Sequence, residues 1–88
     1  MLKLADKRLE KIGFTKVIEN NYIVSYERKV PVDNYTQRLD FCHKQNGNHL
    51  VQSYDKDLFD SKNIGNTSVG LNKYELKCCL RKLKELGW

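Results

Sequence analysis

The chain has 88 residues, 40% hydrophobic and 31% charged, with a single proline and a formal net charge of +5. That length supports one small core and leaves no room for a second domain or a large cofactor pocket, and the mix is that of a globular chain rather than a disordered or collagen-like one. There is no run of 18 apolar residues, which excludes a membrane-spanning helix, and the charged stretch Met1 to Arg8 lacks the apolar region of a signal peptide. A cytoplasmic α+β domain is the expectation.

Residues 2–12 predict a short amphipathic helix, because Leu2, Ala5, Leu9 and Ile12 recur at steps of three and four and share one face. Gly13 is placed to take the left-handed stop, with Phe14 folding back toward Leu9. Residues 15–18 and 22–26 are rich in β-branched and aromatic side chains and predict two strands, joined by a turn at Asn20-Asn21. In the second strand Tyr22, Val24 and Tyr26 alternate with Ile23, Ser25 and Glu27. Pro31 ends it, and Val32-Asp33-Asn34 read as a loop.

A hairpin follows, with arms at Tyr35 to His43 and His49 to Tyr54 around Asn46-Gly47. Asn-Gly suits a type I′ turn, which needs positive φ at both central residues. A two-residue turn there sets Leu39 opposite Tyr54, Phe41 opposite Gln52 and His43 opposite Leu50. Tyr22, Tyr26, Phe41 and Tyr54 then fall on an apolar face, and Thr36, Arg38, Asp40 and Cys42 on a polar one, so the sheet is expected to be covered on one side only. Residues 55–70 read as a long connection whose apolar residues, Leu58, Phe59, Ile64 and Val69, pin it to the core.

The last helix is the best-marked element. Asn72 is a good N-cap, Glu75 stands at the capping-box position, Leu71 and Leu76 fit a hydrophobic staple, and Gly87 is the stop. Leu76, Cys79, Leu80, Leu83 and Leu86 form one stripe, predicted to be its buried face, and Trp88 is expected to pack back on the core. The predicted architecture is a two-layer α+β sandwich: an antiparallel sheet of three or four strands with the N-terminal and C-terminal helices on one face, in a single domain over residues 1–88.

Charge is distributed unevenly. Residues 1–30 carry seven basic and four acidic side chains, residues 31–70 four and five, and residues 71–88 five and two. Basic ends around a neutral middle favour anionic partners, though a charge of this size also serves solubility alone. The three cysteines, Cys42, Cys78 and Cys79, are odd in number and two are adjacent, which fits a reducing compartment rather than a disulfide framework.

No pattern for catalysis stands out. Cys42 and His43 are strand neighbours and point to opposite faces, the wrong geometry for a thiolate–imidazole pair. Cys42, His43, His49, Cys78 and Cys79 are zinc-ligand types without paired zinc-ligand spacing. Asp55, Asp57 and Asp60 fail the EF-hand pattern, which needs glycine where Asp60 stands. The expectation is a non-enzymatic protein with no catalytic residues, no metal and no cofactor.

The helix–strands–helix order resembles the double-stranded RNA-binding domain in topology. In that family a lysine cluster opens the second helix. Here Lys73 and Lys77 stand near that position with Glu75 between them, and leucines replace the family's alanine-rich packing. The stretches Asn34 to Phe41 and Asn46 to Tyr54, with the closing Lys-Glu-Leu-Gly-Trp, resemble small uncharacterised proteins of phages and prophages in low-GC Gram-positive bacteria. Twelve lysines against four arginines, with eight asparagines, fit an AT-rich coding sequence. The resemblance implies a mobile-element origin and transfers no catalytic residue.

Two functions follow as expectations. The first is an accessory protein that contacts another protein, or a second copy of itself, through an edge strand or through the polar sheet face of Thr36, Arg38 and Asp40. The alternative is a module that grips nucleic-acid backbone with Lys44, Lys73, Lys77, Arg81 and Lys84.

Overall fold

The computed structural model describes residues 4–61 and 67–88. Among them the order is α1 (Leu4–Lys11), β1 (Thr15–Glu19), β2 (Ile23–Val30), β3 (Tyr35–Cys42), β4 (Leu50–Asp55), α2 (Lys56–Asp60) and α3 (Lys73–Leu86). The strands form one antiparallel sheet in the sequential order β1-β2-β3-β4. Helices α1 and α3 lie on one face of it, where Leu9, Phe14, Val24, Tyr26, Leu39, Phe41, Cys78 and Cys79 make the buried core. The expected α+β arrangement is therefore present.

Local chemistry explains the boundaries. Gly13, at φ +102°, closes α1: its N–H donates to Glu10 O and the Phe14 N–H to Leu9 O, both at 3.0 Å, in a Schellman stop. The Asn20 side chain accepts from the Tyr22 and Ile23 amides and shapes the first hairpin. At α3, Asn72 and Glu75 complete a capping box, and Gly87, at φ +75°, ends the helix. Trp88 folds back, donating its N–H to Leu83 O at 3.0 Å and packing on the core as expected.

Four expectations are corrected. The β3–β4 register is one residue off the predicted one: Leu39 faces Ser53, Phe41 faces Val51 and Cys42 faces Leu50. Residues 43–49 form a seven-residue connection, in which Asn46 Oδ1 accepts from the Asn48 amide and the Gly47 N–H donates to Lys44 O. The local Asn-Gly preference yields because His43 and His49 stack on each other and against Trp88, so the connection is set by the end of α3 rather than by a tight turn. A one-residue step moves every β4 side chain to the opposite face. Tyr54 accordingly leaves the core side and donates its hydroxyl to Asp40 at 2.8 Å. Tyr22 also leaves it, lying before β2 and 67% exposed.

Part of the 55–70 connection is helical, which is the third correction. Asp55 caps α2 by accepting from the Leu58 amide, and Phe59 packs its ring on Tyr54, 5.1 Å between centroids. Helix α2 therefore covers one end of the face expected to be open. Leu58 and Phe59 are exposed rather than in the core, and Ile64 lies outside the described residues.

The fourth correction concerns α3. Its buried residues are Glu75, Cys78, Cys79 and Lys82, while Leu76 is 50% and Leu80 67% exposed. The helix is turned by roughly 85° from the leucine-inward orientation, at 100° per residue.

Candidate functional site

The orientation of α3 follows from charge pairs that cross between elements. Asp6 on α1 is buried, and its carboxylate accepts from the Tyr26 hydroxyl, from Lys82 Nζ at 3.0 Å and from Lys16 Nζ at 3.1 Å. Glu75 accepts from Arg28 at 2.8 Å, and the same guanidinium donates to Gln37 at 2.6 Å. These two clusters tie α3 to α1 and to the middle of the sheet at both ends of its buried face. Removing such charges from water is costly unless each finds a partner. Turning the leucines inward would strand Glu75 and Lys82 away from theirs.

The Asp6 cluster lines a cleft of about 600 Å³ together with Glu19, Glu85, Leu86 and Trp88. Its charges are already committed. Burial raises the Asp6 carboxyl, but the donors Tyr26, Lys82 and Lys16 outweigh it and hold the group below its ordinary value. Burial and the Asp6 carboxylate together push the Tyr26 phenol up. Glu85 accepts from the Ala5 amide and from Arg81. Through these pairs Asp6, Lys16, Lys82 and Glu85 tie α1, β1 and α3 together around the cleft.

The polar sheet face is occupied in a similar way. Asp40 is buried beneath its own partners: Ser25 Oγ donates to it at 2.6 Å, Arg38 Nε at 3.0 Å and Tyr54 at 2.8 Å, and Arg38 also pairs with Glu27. Burial and Asp40 push the Tyr54 phenol up to about 12. Thr36 lies under α2, its amide donating to Asp57. Of the three residues read as a contact face, Arg38 and Asp40 are brought together and spend their polar groups on each other, and Thr36 stands apart from them.

The sheet edges are also guarded. The β1–β2 register shifts between Lys16 and Ile18, an irregularity of the kind that spoils an edge for pairing. Residues 67–69 run beside β4, with the Asp55 amide donating to Thr67 O and the Val69 amide to Ser53 O.

The basic residues distribute unevenly. Lys73, Lys77 and Lys84 are exposed on α3, and none forms an ion pair among the described residues. Arg81 is held by Glu85 at 3.0 Å. Lys44 is exposed on the β3–β4 connection, its amide donating to His49 Nδ1. That connection meets the end of α3 where His43 and His49 lie against Trp88.

Periodicity places Leu76 and Leu80 in the core, and the structure leaves them on the surface of the helix that carries the exposed lysines. The available signal was Glu75 and Lys82, seven residues apart and so on one face with Cys78 and Cys79. Nothing local shows that both find buried partners on other elements.

The three cysteines are all free thiols. Burial pushes the Cys79 thiol up to about 12 and raises Cys42 as well, with Asp40 adding to the latter. Among the described residues no group of three or more His, Cys, Asp or Glu is arranged to hold a metal ion, and no helix is long and apolar enough to cross a membrane. Comparison with known proteins returns no matching family model, no matching curated protein and no matching solved structure.

Proposed function

We propose that this protein is a non-enzymatic binding module that contacts another protein through the outward side of α3, as an accessory protein of a mobile element. The observation that carries the reading is the exposure of Leu76 and Leu80 on a helix whose buried face is given over to charge. Adjacent large apolar side chains in water are a cost that a partner's surface removes. The alternatives for contact are weaker, because Arg38 and Asp40 are already paired and both sheet edges are irregular or accompanied.

The test compares wild type with the Leu76→Ser/Leu80→Ser double variant as baits in nuclease-treated extract. A partner retained by wild type and released by the variant, at equal folding by circular dichroism, supports the reading. Equal retention removes it.

A second reading has its own observation in the three lysines of α3 that form no ion pair among the described residues. Contact with nucleic-acid backbone predicts affinity for labelled single-stranded DNA, duplex DNA or duplex RNA that falls steeply with salt. Absence of binding even at low salt assigns the +5 charge to solubility.

A further inference from the structure

We infer that the outward flank of α3 is a docking strip for an acidic amphipathic segment of another protein, with apolar side chains seated on Leu76 and Leu80 and carboxylates facing Lys73, Lys77 and Lys84. The inference rests on the protein-contact reading above and adds the chemistry of the partner to it.

Helical geometry supplies the first argument. At 100° per residue, Leu83, Leu76 and Leu80 fall within an arc of about 60°, and Lys73, Lys84 and Lys77 occupy the next arc of about 40°. The helix therefore carries an apolar lane with a cationic lane along one side. Leu83 is the half-buried inner margin of the apolar lane, and the lysine lane lies fully outward. Among the described residues no carboxylate pairs with these lysines: Glu75 is turned inward to Arg28, and Glu85 holds Arg81.

Charge then discriminates among occupants. A second copy placed across a two-fold axis would meet this surface with the same surface. The lysine lane would face itself, and the leucine contact would form against that repulsion. The opposite sign exists elsewhere on the chain, at Asp57 and Asp60 beside the exposed Leu58 and Phe59, but Asp57 accepts from the Thr36 amide and Asp60 holds Lys56. Nucleic-acid backbone answers the lysines and leaves the leucines in water. A bilayer surface calls for a broad apolar face free to sink into the interface, whereas the lane here is narrow and the other side of α3 is held on the sheet. An amphipathic segment with large apolar residues at helical spacing and Asp or Glu beside them answers both lanes at once, its charges setting register and partner choice.

The experiment is a random-peptide display selection on the full chain, with the Leu76→Ser/Leu80→Ser variant as the counter-selection. Recovered peptides are resynthesised with a fluorophore and titrated against wild type, Leu80→Ser and Lys77→Glu. The expected peptides carry two or three large apolar residues at steps of three or four with Asp or Glu alongside. Their Kd rises about tenfold or more with Leu80→Ser, the scale of losing one central anchor. It also rises with Lys77→Glu and with added salt.

Recovered peptides that lack acidic residues, or are basic, yet are lost with Leu80→Ser, overturn the charge assignment and leave the protein-contact reading standing. Peptides indifferent to both leucine substitutions, or no enrichment over the counter-selection, overturn both. A mass that grows with concentration and reverts in Leu80→Ser identifies a second copy as the occupant and overturns the acidic partner. So does capture by duplex DNA or by phosphatidylserine vesicles that depends on Leu80. Because Leu80 is on the surface, an unchanged melting point certifies that its variant is folded.

Discussion

Asp6 is the residue on which the packing of this small domain turns. Its carboxylate gathers Tyr26 from the sheet, Lys82 from α3 and Lys16 from β1. Asp6→Asn leaves Lys82 buried without a counter-charge and is expected to lower stability at pH 7 by about 3 kcal/mol, read from urea unfolding followed by Trp88 fluorescence. The pH dependence has a definite sign. The folded carboxyl is held below its ordinary value, so its contribution is complete above that value and is lost as pH falls through the folded one. Wild type should therefore lose stability on acidification below about pH 4, and the difference between wild type and Asp6→Asn should shrink over the same range. A difference that stays constant to pH 2 would remove Asp6 from this role. The thiols give a second test. Cys79 is buried with its thiol pushed up to about 12, Cys78 is buried beside it, and Cys42 is only half-buried. Alkylation of the folded protein at pH 8 should mark Cys42 slowly and leave Cys78 and Cys79 untouched until denaturant is added, as mass spectrometry of the digest would reveal.

At the scale of elements, α3 shows how hydrophobic periodicity and charge pairing compete. Five apolar residues at helical spacing specify a buried stripe, and two ionisable residues with remote partners specify another face about 85° away. The second prevails because a stranded buried charge costs several kcal/mol, more than leaving two leucines partly in water. Leu80→Ser should thus change stability by less than about 0.5 kcal/mol, as for an ordinary surface site, whereas Leu9→Ala in the core should cost about 3 kcal/mol. Both are measured by equilibrium denaturation, and a large loss for Leu80→Ser would return that residue to the core. Gly13 offers a local counterpart. At φ +102° it ends α1, and an added Cβ would meet the Arg28 side chain at 3.2 Å, so Gly13→Ala is expected to destabilise by more than about 1 kcal/mol.

For the whole molecule, sheet, helices and surface charge combine into a body whose buried charges are paired across elements and whose C-terminal helix turns two leucines outward. Deleting Gly87-Trp88 removes both the stop of α3 and the ring on which His43 and His49 rest, so the melting temperature should fall and the β3–β4 connection should lose its order by amide exchange. An unchanged melting temperature would instead make Trp88 part of a contact surface. The +5 charge makes weak, salt-dependent attraction to polyanions an expected background. Only binding that also requires the α3 leucines bears on the proposed contact.

The sequence by itself determined what short-range chemistry controls. It marked the Schellman stop at Gly13 and the turn at Asn20, the capping box of Asn72 with Glu75, and the stop at Gly87, since each depends on side chains within a few residues of the backbone groups they satisfy. The order of the elements, an antiparallel sheet of three or four strands, and its coverage by the two main helices were legible for the same reason, because period and turn residues are local. Tertiary structure decided the β3–β4 register, which the stack of His43 and His49 on Trp88 sets from 40 residues away in the chain. It also decided which way α3 faces, because the partners of Glu75 and Lys82 stand on β2 and α1. The candidate surface was therefore legible only in its lysines. Its leucines became a surface once distant charges had claimed the helix's other face.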